Sequence, residues 1–456
     1  MRLAAVLVVA LVSATVGAVP AGARGVAKCP VTRLNDATKP VEITFWHGET
    51  STNEDVLKEL LARFEASQDR VRVKLVNQVT YRDMLAKYRA GLVTGDLPDV
   101  VAMGSGADQS LIDSGSVVPV EACIKADNYP RSDFVPRAIP THTINGQQWS
   151  MPWTVPTPLL IYDKNAFRIA GLDPAHPPAT LDEVTQYSRR LVETGAARHG
   201  ISLLRSNALN TVLYTKSGQF YVNHQNGRRG RATKMLLDNK TGQQIWTWWG
   251  DIVRSGLAID AGSEGTTDNL LAIGTGDAAM TIDWSYVVGP VFNVLASGQF
   301  PGVDPGIAPL PALNAGGGVP VGGGSLWIPR ASSALKRAAA WELIKFLSAP
   351  EQQAAYAVGT RGGYLPIRLS ATQDPALQRM WQENPETRVP YDQLLSGPSD
   401  LVAAGPVIGD PTSVGDAVVD ALTRMLVGDL SPRNALRQAQ HDADAALADY
   451  NQRLGR

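Results

Sequence analysis

The stretch from residue 41 to residue 77 constrains this chain most. Residues 41–46 (VEITFW) alternate in hydrophobicity and are rich in β-branched and aromatic side chains, which predicts a strand. Residues 53–68 then place Leu57, Leu60, Leu61 and Phe64 at helical spacing, and residues 71–76 return to a strand pattern. A strand, a helix and a second strand in that order form a β-α-β unit, whose crossover makes the two strands parallel. A further helix over 83–92 and a short apolar strand over 99–103, set off by Gly95 and Pro98, continue the pattern. The opening third therefore reads as α/β with a parallel sheet covered on both faces. In such sheets ligands bind beyond the carboxyl ends of the strands, which here are Trp46-His47-Gly48-Glu49 and Met103-Gly104-Ser105-Gly106.

At 456 residues the chain exceeds one comfortable core and suggests two domains. A second α/β segment starts near Thr154, with strands over 159–162, 200–203 and 278–282 and a helix over Leu181–Glu193. Pro152, Pro156 and Pro158 crowd the junction, where a fixed φ suits a chain crossing between lobes. From Ser333 onward the pattern is mainly helical, over Ala334–Leu347, 350–358, 416–426 and 433–454. The expected division is a first lobe of 29–153 plus 285–348 and a second of 154–284 plus 349–456. Residues 315–324 hold six glycines and one proline, either a surface loop or a turn that lets backbone approach a ligand.

Residues 1–23 read as a signal peptide: Arg2, an apolar core from Leu3 to Val19, and a small-residue cleavage site at Ala21-Gly22-Ala23. Export is expected, and in that oxidising compartment the chain's two cysteines, Cys29 and Cys123, are most simply paired. The competing reading makes Cys29 a lipid-modified anchor; Lys28 stands before it where a small residue is normally required, and Cys123 would be left alone.

The formal net charge of -1 and 19% charged residues give no footprint for nucleic acid. The one basic run, Arg228, Arg229 and Arg231, is expected to be a solvated loop. The six histidines lack metal-ligand spacing, and neither a nucleophile elbow nor a nucleotide-binding loop appears, so no catalytic residue, metal or cofactor is expected. Scattered carboxylates such as Glu49, Asp99, Asp268 and Asp283 leave a glycosidase pair arithmetically open. More informative are aromatics near strand ends and lobe crossings: Trp46, Trp153, Trp284, Tyr286 and Tyr364. Sugar rings stack their C–H faces on such planes, while hydroxyls need acids, amides and backbone groups. Trp246, Trp248, Trp249, Trp341 and Trp381 lie within helical patterns and are expected in the core.

The segments ITFWHGET, TPLLIYDKNAFRIAGLDPAHPPATLDEV, GDAAMTIDWS, GGGSLWIP, AAAWELIKFLSAPEQQAAYAV and GGYLPIR, in this order, carry a resemblance from about Glu42 to the C-terminus. The chain resembles the family 1 extracellular solute-binding proteins of ABC importers, and within them the branch that takes glycerol 3-phosphate. The resemblance implies a two-lobed periplasmic-binding-protein fold of type II, an interdomain ligand cleft, a monomer and permease subunits as partners. Tyr81, Gly323 and Tyr364 match that branch's ligand contacts. An acidic contact falls on Ser105, two serine contacts fall on Pro156 and Trp284, and the phosphate-binding arginine falls on Val407. Without that arginine a dianion loses its charge-assisted partner. The expected ligand is therefore a sugar or amino sugar, held by Glu49, Tyr81, Ser105, Trp153, Asp283, Trp284, Gly323 and Tyr364. A glycerophosphodiester receptor is the alternative, and a secreted glycoside-acting enzyme the third reading.

Overall fold

The computed structural model describes residues 29–263, 267–296, 298–313 and 317–455, so the expected signal peptide lies outside the described residues. β1 (Val41–His47) and β2 (Val71–Asn77) pair in parallel from Val41 opposite Val71 to His47 opposite Asn77. Between them runs the helix Ser51–Ser67, which buries Leu57, Leu60, Leu61 and Phe64. β3 (Val100–Gly104) lies on the other side of β1, followed by β4 (Val117–Val118), a small hairpin of β5 (Thr143–Ile144) and β6 (Gln147–Gln148), and β7 (Met151–Pro152). The second half supplies β8 (Pro158–Asp163), β9 (His199–Leu203), β10 (Ala258–Asp260), β11 (Ala278–Trp284), β12 (Pro305–Pro309) and β13 (Gly324–Pro329).

Two sheets result. One has the order β2-β1-β3-β13-β4 with β7 beside β13; the other has the order β10-β9-β11-β8-β12. Each is covered on both faces, as the apolar strands require. Ile43, Phe45, Val100, Ala102, Leu326 and Ile328 face one core of the first sheet, while Trp46, Val101, Met103 and Trp327 face the opposite one. In the second sheet Leu160 and Tyr162 point to one side and Leu159 and Ile161 to the other. Period-2 alternation thus builds two cores per sheet and two lobes per chain.

The expected lobe boundaries differ from the packing at two places. Residues expected in the first lobe between 285 and 309 pack on the second sheet: β12 pairs with β8, and Val287, Val288 and Val291 sit against Leu159 and Ile161. Conversely, the helices Pro350–Gly359, Pro375–Glu383 and Val389–Leu395 send Ala354, Tyr356, Leu377, Trp381 and Tyr391 into the first lobe's core. The apolar stripe of a helix says that it covers a sheet, not which sheet.

Cys29 and Cys123 form a disulfide, with Cα atoms 4.8 Å apart, that fastens the start of the described chain to the helix Val120–Ala126. The Cys29 sulfur that a lipid thioether would need is engaged in this bridge. The basic run is solvated only in part: Arg229 is exposed, but its neighbours are engaged. Arg228 is buried and donates to the carbonyls of Pro140 and Thr141 on the first lobe and of Ala404 and Gly405 on the segment returning to the second. Arg231 reaches across to Asp113 of the first lobe. Arg137 clasps the same junction through the carbonyls of Val319, Ser396, Gly397 and Pro398. A guanidinium's fork of donors suits such rows of carbonyls, a use that flanking glycines do not advertise in the sequence.

Candidate functional site

A cavity of about 540 Å³ opens between the lobes. Strand ends build it, as expected for parallel sheets. Gly48 and Glu49 follow β1, Gly104, Gly106 and Ala107 close β3, and Trp284 ends β11. Pro156, Gly322 and Gly323 come from the crossings between lobes, and Pro411 and Thr412 from the start of the helix Pro411–Leu426.

Local chemistry fixes the first-lobe wall. Thr80 accepts from the amide of Asp83 and caps the helix Tyr81–Thr94, which Gly95 ends in the left-handed region at φ 83°. Tyr81 is therefore the first helical residue, and its ring lies over backbone that has no side chains. A Cβ on Gly104 would sit 3.1 Å from the Tyr81 ring, and one on Gly324 would sit 2.8 Å from its hydroxyl. Trp284 uses the same device on the facing wall, where a Cβ on Gly322 would meet its ring at 2.6 Å. Gly323 is required twice over: its φ is +82°, and a Cβ would stand 2.0 Å from the Thr154 carbonyl oxygen. The glycine run, as far as it is described, is thus a close-approach turn at the cavity.

Glu49 is the electrostatic centre. It is 2% exposed, and burial pushes its carboxyl up to about 7, against which the hydroxyls of Tyr364, Tyr356 and Tyr81 work. Tyr81 donates to Oε1 at 3.5 Å. His47 is held down to about 4 by burial, so it is neutral at pH 7, and its Nδ1 accepts from the Glu49 amide at 3.2 Å. Asn77 braces the rim: its amide donates to the Glu49 carbonyl at 2.7 Å, and its Oδ1 accepts from the Val79 amide at 2.6 Å. Val79 stands there with φ at 65°, a left-handed conformation that a β-branched residue rarely adopts, and is 66% exposed. Arg82 also lines the mouth and lies 3.9 Å from Asp416 of the other lobe.

Behind the cavity runs a stack of three rings. Trp153 and Tyr356 lie 5.7 Å apart at 13°, and Tyr356 and Tyr364 lie 5.4 Å apart at 13°. Of the expected contacts, Glu49, Tyr81, Trp284, Gly323 and Tyr364 line the cavity. Trp153 does not: it is fully buried two rings back and supports Tyr364 instead. Asp283 is also behind the wall. It is buried, its carboxyl is pushed up to about 7 by burial, and it accepts from the Trp284 amide at 2.7 Å. In an alternating strand the residue before a lining side chain points to the opposite face, which explains the miss. The Ser105 side chain lies outside the described residues. Tyr286, noted in the sequence among the aromatics near strand ends, also lines the cavity, whereas sequence reasoning did not select Tyr356, Arg82 or Thr412. The last two each follow shortly after a capping residue, Thr80 and Asp410, and that signal could have found them.

A sequence relative is the sn-glycerol-3-phosphate-binding periplasmic protein UgpB of Brucella abortus, 24% identical over 422 residues, which covers 91% of this chain and 95% of the relative. Among solved structures, UgpB of Mycobacterium tuberculosis in complex with glycerophosphocholine superposes with a TM-score of 0.74 at 22% identity, covering 91% of this chain and 99% of the other. The GacH receptor of Streptomyces glaucescens, solved unliganded and with acarbose, gives 0.73 at 22% identity, with 90% and 99% covered. Both likenesses agree with two α/β lobes around an interdomain cleft. Residues 59–388 match the bacterial extracellular solute-binding proteins, which places the match across both sheets and most of the cavity wall, and the chain belongs to that family.

Proposed function

We propose that this chain is the receptor subunit of an ABC-type importer, a monomer that captures a sugar or amino sugar outside the cytoplasmic membrane and delivers it to permease subunits. The observation that carries this reading is the cavity wall itself: Tyr81, Trp284, Tyr286 and Tyr364 around the single carboxylate of Glu49. Aromatic planes take the C–H faces of a pyranose, and Glu49 with the tyrosine hydroxyls takes its polar edge. A cavity of about 540 Å³ suits a solute of one or two rings. Closure of the lobes is driven by the contacts the solute gains in the closed state. The chain performs no chemistry on its solute, since Glu49 is the only carboxylate among the described lining residues and a glycosidase flanks its bond with two.

A glycerophosphodiester is the second reading. It is favoured by Arg82 at the mouth and by the starts of the helices Ser51–Ser67 and Pro411–Leu426, whose N-terminal amides suit a phosphate. A thermal-shift scan against mono- and disaccharides, amino sugars, glycerol 3-phosphate and glycerophosphocholine tests the choice, because a ligand at 100 times its Kd stabilises by about 2.7 kcal/mol. Stabilisation by sugars that Trp284→Ala removes supports the first reading; stabilisation confined to phosphodiesters overturns it.

A further inference from the structure

We propose that the solute carries an ammonium group, and that this group seats against Glu49 as the counter-ion the carboxylate lacks in the protein. The inference rests on the receptor reading above and narrows its ligand. Its starting point is an imbalance of charge at the base of the cleft. Glu49 is almost wholly buried, yet none of the ion pairs among the described residues includes it. Every titratable group that faces it is neutral at pH 7 or points elsewhere. Tyr81 comes from the helix Tyr81–Thr94, Tyr356 from the helix Pro350–Gly359 and Tyr364 from the turn that follows, and burial pushes all three phenols up. His47 of β1 meets Glu49 only through a backbone amide and is neutral. Glu54 and Lys58, on the helix Ser51–Ser67, pair with each other at 3.1 Å. Arg82 is at the exposed rim, beside Asp416.

A buried carboxylate without a positive partner is costly to ionise, and the protein supplies none. The aromatic side chains that share the cavity with Glu49 favour a cation beside it. Trp284, Tyr286, Tyr364 and Tyr81 present aromatic faces and edges around the same space, the arrangement that attracts ammonium groups. A neutral polyol would leave the carboxyl with the raised affinity for a proton that burial gives it, whereas an ammonium would pull it into its ionised form. Binding therefore expels a proton near and below pH 7. The same chemistry can arrive as the amine of an amino sugar or as a choline headgroup.

The test is calorimetry on the mature protein with five probes: glucosamine, N-acetylglucosamine, glucose, glycerophosphocholine and glycerol 3-phosphate. Each titration is run at pH 6 and pH 7 in two buffers of different ionisation heat. The expected result is at least tenfold tighter binding of glucosamine over N-acetylglucosamine and glucose, or of glycerophosphocholine over glycerol 3-phosphate. The winning cation should show a buffer-dependent heat that reports proton release, larger at pH 6. The two pairs separate the amino-sugar source from the choline source. Glu49→Gln should erase the tenfold preference, and if that variant does not fold, the proton release measured on the unaltered protein still decides. Probes without an ammonium group that bind as tightly as their ammonium-bearing partners, or an ammonium-bearing probe that binds with no proton released, would overturn the inference and leave the receptor reading standing. Binding by none of the five would overturn both.

Discussion

The two lobes share an architecture but meet the cavity in opposite ways. The first lobe offers a finished polar floor: Glu49 is buried under the half-buried Tyr81, Tyr364 is backed by two further rings, and the rim is braced by Asn77. The second offers Trp284, only half-buried, with its amide held by Asp283 and its ring over Gly322. The difference teaches that preorganisation is concentrated on one side. A solute can be oriented by the first lobe before the second closes, so the second needs a broad apolar face more than a set of directed hydrogen bonds.

The largest expected effect tests whether the first lobe owes this rigidity to its covalent clasp. Replacing Cys29 and Cys123 by alanine releases a bridge spanning 94 residues and should lower stability by about 4 kcal/mol, confined to the first lobe. Urea unfolding followed by hydrogen exchange should show loss of protection around β1 and the helix Val120–Ala126, with the second sheet unchanged; uniform loss would break the comparison.

Next comes the strain of the buried acid. Glu49 ionises at about 4.5 when unfolded and about 7 when folded, so between those values the unfolded chain sheds its proton and the folded chain keeps it. Folding of the ligand-free protein should therefore weaken as pH rises through that window, by about 3 kcal/mol from this residue, and level off above it. Asp108 and Asp283, both pushed up to about 7 by burial, add declines of the same sign. Glu49→Gln should remove its share, as read from urea midpoints at pH 5, 6, 7 and 8.

Trp284→Ala probes the second lobe. Because the ring is half-buried and contributes mainly to the cavity, affinity should fall by about 2 kcal/mol, roughly thirtyfold, with little change in melting temperature. A large drop in stability instead would make Trp284 a core residue and erase the asymmetry. The smallest effect is at the first lobe's rim. Val79→Gly relieves a left-handed valine and should raise stability by about 1 kcal/mol while weakening the bound state, since the exposed side chain lines the mouth.

Much of this was legible in the sequence, for identifiable reasons. The β-α-β opening, the apolar runs of β8 and β11 and the prolines at 152, 156 and 158 are written in periods and punctuation that depend on nearest neighbours alone. Glu49 and Trp284 could be found because strand ends mark where parallel sheets hold ligands, while Tyr81 came from the family resemblance. What could not be read depends on partners distant in the chain. Nothing near Tyr356 says that its ring will lie between Trp153 and Tyr364, and nothing near Asp283 says which face of β11 will meet the cleft. The helices from 350 to 395 have the same apolar stripes whichever sheet they cover, which is why the lobe boundary was misplaced.

Arg228 has a kinematic consequence. Its guanidinium is bonded to Pro140 and Thr141 on one lobe and to Ala404 and Gly405 on the strand of chain that enters the other. A group tied to both halves of a jointed body can travel little relative to either when the joint turns, so the axis of rotation must pass close to it. Under the proposed closure the side chain would be the pin of the joint: the far edges of the cleft would sweep through the longest arcs, and the few ångströms around this one cation would stay almost still.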